Sequence, residues 1–459
     1  MQSTELRRVL GVWPAMAIVI GTVIGSGIFL VPNDMIKAVG TPSMVFFVWI
    51  FGGVLSLFGA LSYAELSAAM PEAGGEYVYL NAAYGPFFGF IYGWTQTWVA
   101  KSASLATLAT GFYTYAADFF PVLAQPIFVI PLPIGPGGGP LPIRYGQLLG
   151  IVVLLFLAGV NYVGARAGGR LQVAATGLKL GLIAALVIGA LLSGKSNSAN
   201  FHSAITPELS GSAGFFAALV AALWAFDGWN NAGMLGSEIN RPERNLPRAL
   251  IFGTLITMGM YLVANWAYFT VLSAADVAGT ERVAAEMMRR VVGSAGGKLV
   301  SAAAMVSIFA AINGSILSGS RVPFAMAQGG YFFAWLKRVN PMYRTPSASI
   351  LLISGWACLL LLSGQYRQLY TLVIFPSWIL YGMTAASVIV LRRKRPDLKR
   401  PYRVVGYPVV PVLFVLVAGS LLWDTLRNSP RESGIGLVLI AAGIPFYLYW
   451  NRRVSPVES

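Results

Sequence analysis

Two breaks in otherwise apolar segments constrain the fold of this chain more than any other feature of its sequence. Gly25-Ser26-Gly27 interrupts the first apolar segment, and Phe226-Asp227-Gly228-Trp229 interrupts the sixth. A helix inside a lipid bilayer must satisfy its own backbone polar groups, so a glycine-rich or charged break is tolerated only where it lines a cavity or meets a polar ligand. Each break therefore predicts a binding site inside a membrane-spanning helix.

The composition is typical of a membrane protein with many spans. Of the 459 residues, 56% are hydrophobic and 11% are charged, a balance that is unusual for soluble globular proteins. A helix needs about 20 apolar residues to cross the hydrocarbon core. The predicted spans are residues 11–38, 43–70, 86–118, 145–163, 170–193, 213–239, 247–273, 298–327, 346–363, 367–391, 408–425 and 433–451. We therefore predict an all-α membrane protein of twelve transmembrane helices, the first and sixth being discontinuous.

The two breaks lie five segments apart, a spacing typical of carriers built from two inverted repeats. We predict a first repeat over residues 11–193 and a second, inverted repeat over residues 213–391. Spans eleven and twelve, residues 408–451, are then peripheral, and residues 1–10 and 452–459 are terminal segments. Carriers of this kind hold their ligand between the unwound helices near the bilayer midplane. The chain is thus predicted to move a small polar solute by alternating access.

The basic residues indicate the orientation of the chain. Its net charge is +15, and most lysine and arginine residues fall in segments that are cytoplasmic if the N-terminus is cytoplasmic. This pattern follows the positive-inside rule, so both termini are predicted to be cytoplasmic. Topology explains the excess charge, and nucleic-acid binding is not expected. The basic run at residues 392–395 is suited to contact with anionic lipid headgroups.

The reactive residues argue against a metal site, a cofactor and an enzyme. His202 is the single histidine and Cys358 the single cysteine, so an internal disulfide is impossible and a His/Cys metal cluster is not expected. The sequence also lacks the spaced His, Asp and Glu clusters or nucleophile motif that catalysis needs, so no catalytic residue is proposed. A membrane-embedded enzyme and a transport-like sensor remain the alternatives from other functional classes.

Several motifs occur in order along the predicted spans. They are Gly25-Ser26-Gly27-Ile28-Phe29, Tyr63-Ala64-Glu65-Leu66, Pro71-Glu72-Ala73-Gly74-Gly75-Glu76-Tyr77, Asp227-Gly228-Trp229-Asn230 with Glu238, Pro242-Glu243-Arg244-Asn245-Leu246-Pro247, and Asn313-Gly314-Ser315 with Ser320-Arg321. Together they resemble the amino acid-polyamine-organocation family, and within it the L-type amino acid transporter branch. The resemblance implies sodium-independent transport of neutral L-amino acids, by exchange or with a proton. A carrier of polyamines or cationic amino acids is the alternative within the family.

The first break predicts a site for a carboxylate. The N-terminus of a half-helix favours an anion, and amides in Gly25-Ser26-Gly27 can be left unpaired to form a cradle for one. From the residues alone, a close-packed face of small residues is an equal alternative. The resemblance favours the cradle. It also implies that the substrate amine meets carbonyl groups of Val23, Trp224, and Phe226 or Asp227.

The sixth and eighth spans supply further candidates. The resemblance implies that Trp224 is an aromatic gate over the substrate, with ordinary aromatic packing as the alternative. A carboxylate at mid-membrane is costly and usually functional, so Asp227 either holds the break open or acts directly, on a cationic substrate or a proton. The resemblance also adds Asn230, Phe309 and Asn313 to the pocket wall.

Two lysines lie deep in predicted spans. Lys179 is about 14 Å along the fifth span, at about 1.5 Å per residue, and an ammonium there needs a partner. The resemblance implies that Lys179 replaces a sodium ion that bridges helices one, five and eight, the alternative being a lysine that snorkels along its helix. Lys101 is similarly deep in the third span. Its sequence context does not decide whether it lines the pathway.

The predicted cytoplasmic ends contain candidate gating residues. Glu65 and Arg321 lie towards these ends of spans two and eight, where they are candidates for a gating ion pair or for separate structural pairing. The loop at residues 71–77 has a glycine pair and no basic residue, which suits a re-entrant or gating element.

The loop after span three bears on partners. In the L-type branch, a cysteine in this outer loop can link the carrier to a heavy subunit. Residues 119–144 contain no cysteine, which excludes that disulfide. We therefore expect a stand-alone carrier of a bacterial inner membrane.

Overall fold

The computed structural model describes residues 6–131, 140–209, 211–363 and 366–453. Almost all of them are helical. The helices are α1 (Val12–Val23), α2 (Gly27–Val39), α3 (Pro42–Ala69), α4 (Glu76–Tyr84), α5 (Pro86–Thr95), α6 (Lys101–Ala116), α7 (Tyr145–Val163), α8 (Ala165–Leu192), α9 (Gly211–Phe226), α10 (Pro242–Val271), α11 (Ala274–Ala278), α12 (Val283–Val292), α13 (Ser294–Gly319), α14 (Arg321–Gln328), α15 (Ser347–Ser363), α16 (Tyr366–Lys394), α17 (Val409–Asn428), α18 (Pro430–Ala441) and α19 (Gly443–Asn451).

The membrane-protein prediction is confirmed by the length and apolarity of these helices. Eight helical segments of the described residues are long and apolar enough to cross a bilayer, and α1 with α2 makes a ninth if this bent pair is one span. The helices α9 and α15 are apolar but shorter. The count of twelve spans, the inverted repeat and the division of the chain at residues 193, 213 and 391 stay predictions.

The all-α prediction is wrong in one detail, a short antiparallel hairpin after α6. Strand β1 (Pro126–Ile130) pairs with β2 (Leu141–Arg144), with Ile130 opposite Leu141. Aromatic and β-branched residues in β1 favour an extended chain, and the prolines at positions 126 and 142 disfavour a helix interior. Residues 132–139 of the connecting loop, like residues 1–5 and 454–459 of the predicted terminal segments, lie outside the described residues.

Both predicted breaks occur, and they lie side by side. Helix α1 ends at Val23 and α2 begins at Gly27, with a bend of 41° between them. Helix α9 ends at Phe226, and Gly228 in the following turn has φ of 108°, a conformation that favours glycine. A Cβ atom added to Gly27 would lie 2.7 Å from the Cβ of Ala225, so glycine allows α2 to start against the end of α9.

The broken helices lie at the centre of the molecule. Helix α1 packs against α8, α10 and α13, while α2 packs against α9. In the segment Ser294–Gln328, which contains α13, 72% of the apolar window is buried, against 22% in α17 and in Ser433–Asn451. The central helices are therefore those around the two breaks, and the C-terminal helices lie at the edge.

The loops gather on two opposite faces. On the face that carries the N-terminus, Leu10 forms a backbone bridge with Ile239, and Ala73 forms one with Leu235. We call this the N-terminal face. On the opposite face, the amide of Glu208 donates to the carbonyl of Lys37 at 2.8 Å, which ties the start of α9 to the end of α2.

Candidate functional site

A narrow cavity of about 20 Å³ lies where the two breaks meet. We call it the central cavity. It is lined by Thr22, Val23, Gly25, Ser26, Gly27, Lys101, Ser104, Leu108, Trp224, Ala225, Asp227, Gly228, Asn231 and Ser315. The lining combines backbone of both breaks with one ammonium, one carboxylate and several hydroxyl groups. This set of groups can bind a small ligand that carries both charges.

The first break presents a helix N-terminus to this cavity. The first turn of α2, from Gly27, has amide groups with no carbonyl acceptor in the same helix, and this end of a helix dipole is positive. The carbonyl of Val23 lies on the other side of the break and accepts from the Gly25 amide at 2.8 Å. An anion is thus favoured on the α2 side of the break and a cation on the α1 side.

Lys179 of α8 links the broken first helix to α13. Its side chain is fully buried, and the ammonium donates to the carbonyls of Gly21 at 2.9 Å, Ser307 at 3.0 Å and Ile24. These bonds use all three N–H donors of the ammonium. The hydroxyl of Ser307 lies 2.9 Å from the carbonyl of Ile24 and 3.2 Å from that of Gly25, and it can donate its one proton to either. A positive charge therefore holds the end of α1 against two neighbouring helices.

Two bonds hold the start of the second break from different helices. The hydroxyl of Tyr381, on α16, donates to Oδ1 of Asp227 at 2.8 Å. The hydroxyl of Thr22, on α1, lies 3.1 Å from the carbonyl of Gly228 and 2.7 Å from that of Ile18 in its own helix, and it can donate its one proton to either. The carboxylate of Asp227 is therefore both a cavity-lining group and an anchor for the unwound backbone.

The end of the same break is held by two further elements. Nδ2 of Asn230 donates to Oε1 of Glu76 at the start of α4. Nζ of Lys101, at the start of α6, donates to Oδ1 of Asn231 at 2.7 Å. The chain before Lys101 is a π-helical turn at Gln96–Ala100, a distortion that is frequent at functional sites. The unwound segment is thus fixed by side chains of four separate elements.

Tyr261 of α10 connects the two breaks to each other. Its hydroxyl lies 2.9 Å from the carbonyl of Val23 and 2.6 Å from the carbonyl of Ala225. Its ring packs against Trp49 and Phe226, with centroids 4.9 Å and 5.0 Å away. Because the phenol has one proton, it can donate to only one of these carbonyls at a time.

The N-terminal face has an open vestibule of about 970 Å³. Pro71, Glu72, Ala73 and Tyr77 from the predicted gating loop line it, together with residues of α14. Glu76 belongs to the same loop and is fully buried, and its Oε1 accepts from Nδ2 of Asn230 in the second break. The loop therefore contacts both the vestibule and the second break.

Of the two alternatives for Glu65 and Arg321, the structure shows separate structural pairing and not an ion pair between them. Arg321 forms a fully buried, bidentate pair with Glu238, with N···O distances of 2.7 Å and 2.9 Å. Glu65 accepts from Arg392 at 2.9 Å and 2.6 Å, and it lies 3.5 Å from Arg400. Arg321 begins α14 beside the turn that follows the second break, whereas Glu65 lies near the ends of α3 and α16. Each residue therefore pairs with its own neighbours.

The sequence comparisons identify the group of proteins to which the chain is related. A family model for amino acid permeases matches residues 10–433. The chain belongs to the amino acid permease family.

Relatives of this permease are named as transporters and exchangers. It is 34% identical to the serine/threonine exchanger SteT of Bacillus subtilis, over 98% of this chain and 99% of the relative. It is 29% identical to the human b(0,+)-type amino acid transporter 1, over 99% of this chain and 91% of the relative. It is 28% identical to the human cystine/glutamate transporter, over 98% of this chain and 87% of the relative. The permease is therefore a multi-pass membrane protein of a family of amino acid transporters and exchangers.

Most of the predicted site residues come together in the permease. Val23, Gly25, Ser26, Gly27, Trp224 and Asp227 line the central cavity. Phe226 and Asn230 are buried next to it, where they contact Tyr261 and Glu76 rather than forming part of its lining. Lys101, whose role the sequence left open, lines the cavity.

Phe309 and Asn313 lie elsewhere, contrary to the prediction. Phe309 packs against Phe156, with ring centroids 6.2 Å apart, and lines a separate apolar groove. Asn313 is buried, donates to Oε1 of Gln172 at 2.7 Å and accepts from Nδ2 of Asn161 at 2.9 Å. On α13 these two positions face α7 and α8, so they join helices instead of facing the cavity.

Several site residues were missed by the sequence reasoning. Thr22 and Asn231 adjoin the breaks in sequence, and that proximity was the signal that could have found them. Glu76 lies in a motif whose loop was predicted to gate, but its burial has no sequence signal. Tyr261 is one of 20 tyrosines, and only the folded structure shows that it meets both breaks.

Proposed function

We propose that this permease is a sodium-independent exchanger of neutral L-amino acids that works by alternating access. The observation that carries the proposal is the Lys179 ammonium, which donates to the carbonyls of Gly21, Ile24 and Ser307. A fixed cation at this point performs the helix-bridging role that a bound sodium ion would otherwise have. Binding of substrate then requires no external sodium.

The two ends of the substrate are assigned to the two breaks. Its α-carboxylate binds the amides of Ser26 and Gly27 at the positive end of α2. Its α-amine binds the carbonyls of Val23, Trp224, and Phe226 or Asp227. Trp224 closes the outer side of the cavity as an aromatic gate, since a large ring supplies contact area and shape.

The properties of the cavity support a small neutral substrate over a polyamine. Its lining contains the ammonium of Lys101, which would repel the second charge of a diamine. The name of one relative, a serine/threonine exchanger, is consistent with a small polar side chain and with exchange. Asp227 favours the second candidate, a carrier of cationic amino acids or polyamines, because its carboxylate also faces the cavity.

The proposal includes the predicted architecture. Twelve spans form a five-plus-five inverted repeat over residues 11–193 and 213–391, with residues 408–451 peripheral and both termini cytoplasmic. Glu65 and Arg321 are assigned to gating through their separate ion pairs. We propose that the permease acts in a bacterial inner membrane without a disulfide-linked heavy subunit.

The test is exchange in proteoliposomes loaded with unlabelled L-serine. Entry of radiolabelled L-serine is measured in sodium and in choline buffers, with competition by alanine, leucine, arginine and putrescine. We expect equal rates in the two buffers and strongest competition by neutral L-amino acids. Diamines lack the α-carboxylate, so they forgo the hydrogen bonds assigned to it, at a cost of about 1–3 kcal/mol.

The same experiment separates the alternatives. Uptake that depends steeply on sodium contradicts the role given to Lys179. If putrescine competes best, and Asp227→Asn removes that preference, the polyamine function replaces ours. Binding of serine without entry identifies a sensor.

A further inference from the structure

Glu76 is a buried carboxyl group without a compensating ion pair. It is fully buried at the first residue of α4, and Oε1 accepts from Nδ2 of Asn230. Among the described residues, Oε2 has no hydrogen-bond partner of ordinary geometry, and the Tyr92 hydroxyl is the group close enough to act on it. Lys101 acts on this carboxyl group through space, but its ammonium donates to Asn231. A charged carboxylate in this position is therefore poorly compensated.

The groups around Glu76 add little positive charge. Its titratable neighbours on the surrounding elements are Tyr63 of α3, Tyr79 of α4, Tyr92 of α5, Lys101 of α6, Asp227 of the second break, and Tyr381 of α16. The tyrosines are neutral near pH 7, and the charges of Lys101 and Asp227 oppose each other. Burial raises the pKa of Glu76 from its ordinary value of 4.5 to about 7, while a hydrogen bond from its own backbone amide, hydrogen bonds from Asn230 and Tyr92, and the charge of Lys101 oppose that rise.

The loop around Glu76 is attached to the segment that follows the second break. The amide of Gly74 donates to the carbonyl of Met234 at 3.0 Å. A Cβ atom added to Gly75, which has φ of 55°, would lie 3.0 Å from the Met234 amide nitrogen. Displacement of this loop would thus both disturb the break and open Glu76 to the vestibule that Ala73 and Tyr77 line.

We propose that Glu76 is a proton-binding site that couples this exchanger to pH. Its carboxyl group holds a proton while the loop at residues 71–77 is packed against the second break, as it is here. When the loop moves, vestibule water reaches the group, its O–H bond breaks, the proton passes to water and a carboxylate remains. The proposal rests on the transport function proposed above and concerns its regulation.

The direction of the pH effect follows from the burial of the group. Once hydrated, Glu76 regains its ordinary pKa of 4.5, whereas in the packed conformation its pKa is about 7. Between pH 4.5 and about pH 7, the packed conformation therefore binds more protons than the open one. Its stability relative to the open conformation is greatest at the low end of this pH range and falls as pH rises to about 7. Opening of the loop becomes easier over the same range, so exchange becomes faster.

The experiment measures L-serine exchange with equal pH on both sides of the liposome membrane. Between pH 5 and pH 7.5 the wild-type rate should rise by well over tenfold, up to about 60-fold, because each unit of pKa difference is a factor of ten in the ratio of conformations and the two values, 4.5 and about 7, differ by more than two units. Glu76→Gln remains neutral and should keep the low-pH rate throughout. The control is Glu72→Gln, an exposed carboxylate of the same loop, which should retain the wild-type profile.

The outcomes separate this proposal from the transport function. A wild type that exchanges serine at a rate independent of pH, or a Glu76→Gln variant with the wild-type profile, overturns the role of Glu76 and leaves exchange intact. A wild type with no exchange at any pH overturns the transport function itself.

A second measurement does not depend on the folding of the variant. The heat of L-serine binding to purified wild type is measured in two buffers of different ionisation enthalpy, which gives the number of protons exchanged. We expect proton exchange at pH 6 that becomes smaller as pH rises to 7.5. Equal heats in both buffers at every pH overturn the proposal.

Discussion

At the scale of single residues, Lys179 is the side chain on which the first break depends most directly. The ammonium is completely buried and is surrounded by carbonyl oxygens of α1 and α13. A buried charge without polar partners would be costly, whereas here every N–H donor is used. The same bonds satisfy carbonyls at the end of α1 that receive no hydrogen bond from an amide of their own helix.

Lys179→Ala should therefore fold and yet be nearly inactive. The substitution leaves three carbonyls without this donor, at a cost of about 1–3 kcal/mol for each one that finds no replacement, although the Ser307 hydroxyl still serves Ile24. We expect a loss of serine exchange of at least about tenfold, which corresponds to about 1.4 kcal/mol. The measurement is initial exchange rate per mole of protein that elutes as a single species in size-exclusion chromatography.

Leu178→Ala is the matched control, because Leu178 precedes Lys179 on α8 and is 54% exposed. It should retain the wild-type exchange rate. A fully active Lys179→Ala variant would show that the ammonium is dispensable for transport.

The sequence predicted the charged residues better than it predicted their partners. The depth of Lys179 in an apolar segment required a polar partner, and the structure supplies three carbonyls. The depth of a residue in a predicted span does not show which face of α3 packs against α16, so the pairing of Glu65 with Arg392 could not be predicted from the sequence. Helical position alone also could not orient Phe309 and Asn313, which lie on the far face of α13.

At the scale of elements, both helix breaks were predictable because their residues cannot continue an apolar helix. Glycine at positions 25 and 27 and a charge at Asp227 mark them in the sequence. The buried helix α4 was not predicted as a helix, because only tertiary packing buries it beneath the break. The hairpin of β1 and β2 was missed because its β-branched residues lie between prolines in a segment that reads as a loop.

The segment after the second break is held by one buried ion pair, which supports a prediction at this scale. Arg321 of α14 binds both oxygens of Glu238 and also donates to the carbonyl of Leu317 at 2.5 Å. The carbonyl of Glu238 accepts from the amides of Val9 and Leu10 at 2.9 Å and 3.0 Å. This pair thus joins α14, the turn after the break and the N-terminal segment.

Glu238→Ala should destabilise the permease strongly, because it leaves the Arg321 guanidinium buried without its counter-charge. Breaking such a pair costs about 3–5 kcal/mol. Replacing both partners by apolar residues, as in Glu238→Leu with Arg321→Met, should recover part of that loss. The readout is the thermal midpoint of the detergent-purified protein, followed by the fraction that remains monodisperse after heating.

An exposed ion pair provides the control for this experiment. Arg289 is paired with Glu286 at 2.7 Å, but its side chain is 62% exposed. Arg289→Gln should cost less than about 1 kcal/mol. A Glu238→Ala variant as stable as Arg289→Gln would contradict the structural role of the buried pair.

At the scale of the whole molecule, the two breaks, the vestibule and the ion pairs divide the permease into two unequal faces. The N-terminal face contains the vestibule, Glu72 and the pairs of Glu65 and Glu238. The opposite face is held by the contact of Arg282 with Asp118 and by the pair of Arg290 with Asp276 at 2.6 Å. The orientation of these faces decides into which compartment Glu76 would release its proton.

The orientation prediction can be tested on this chain with one background substitution. Cys358 is the only cysteine, so Cys358→Ser gives a protein without thiols. Into that background, Glu72→Cys and Arg338→Cys place a thiol at exposed positions of the N-terminal face, and Lys195→Cys and Glu281→Cys do so on the opposite face.

If the N-terminal face is cytoplasmic, a membrane-impermeant maleimide should label the second pair in intact cells. The first pair should react only after the inner membrane is permeabilised, because the positive-inside rule assigns its loops to the cytoplasm. The cysteine-free protein should remain unlabelled under both conditions. Labelling of the first pair in intact cells would reverse the orientation and direct the Glu76 vestibule outwards, while labelling of one member from each pair would contradict the predicted even number of spans between the two members of each pair.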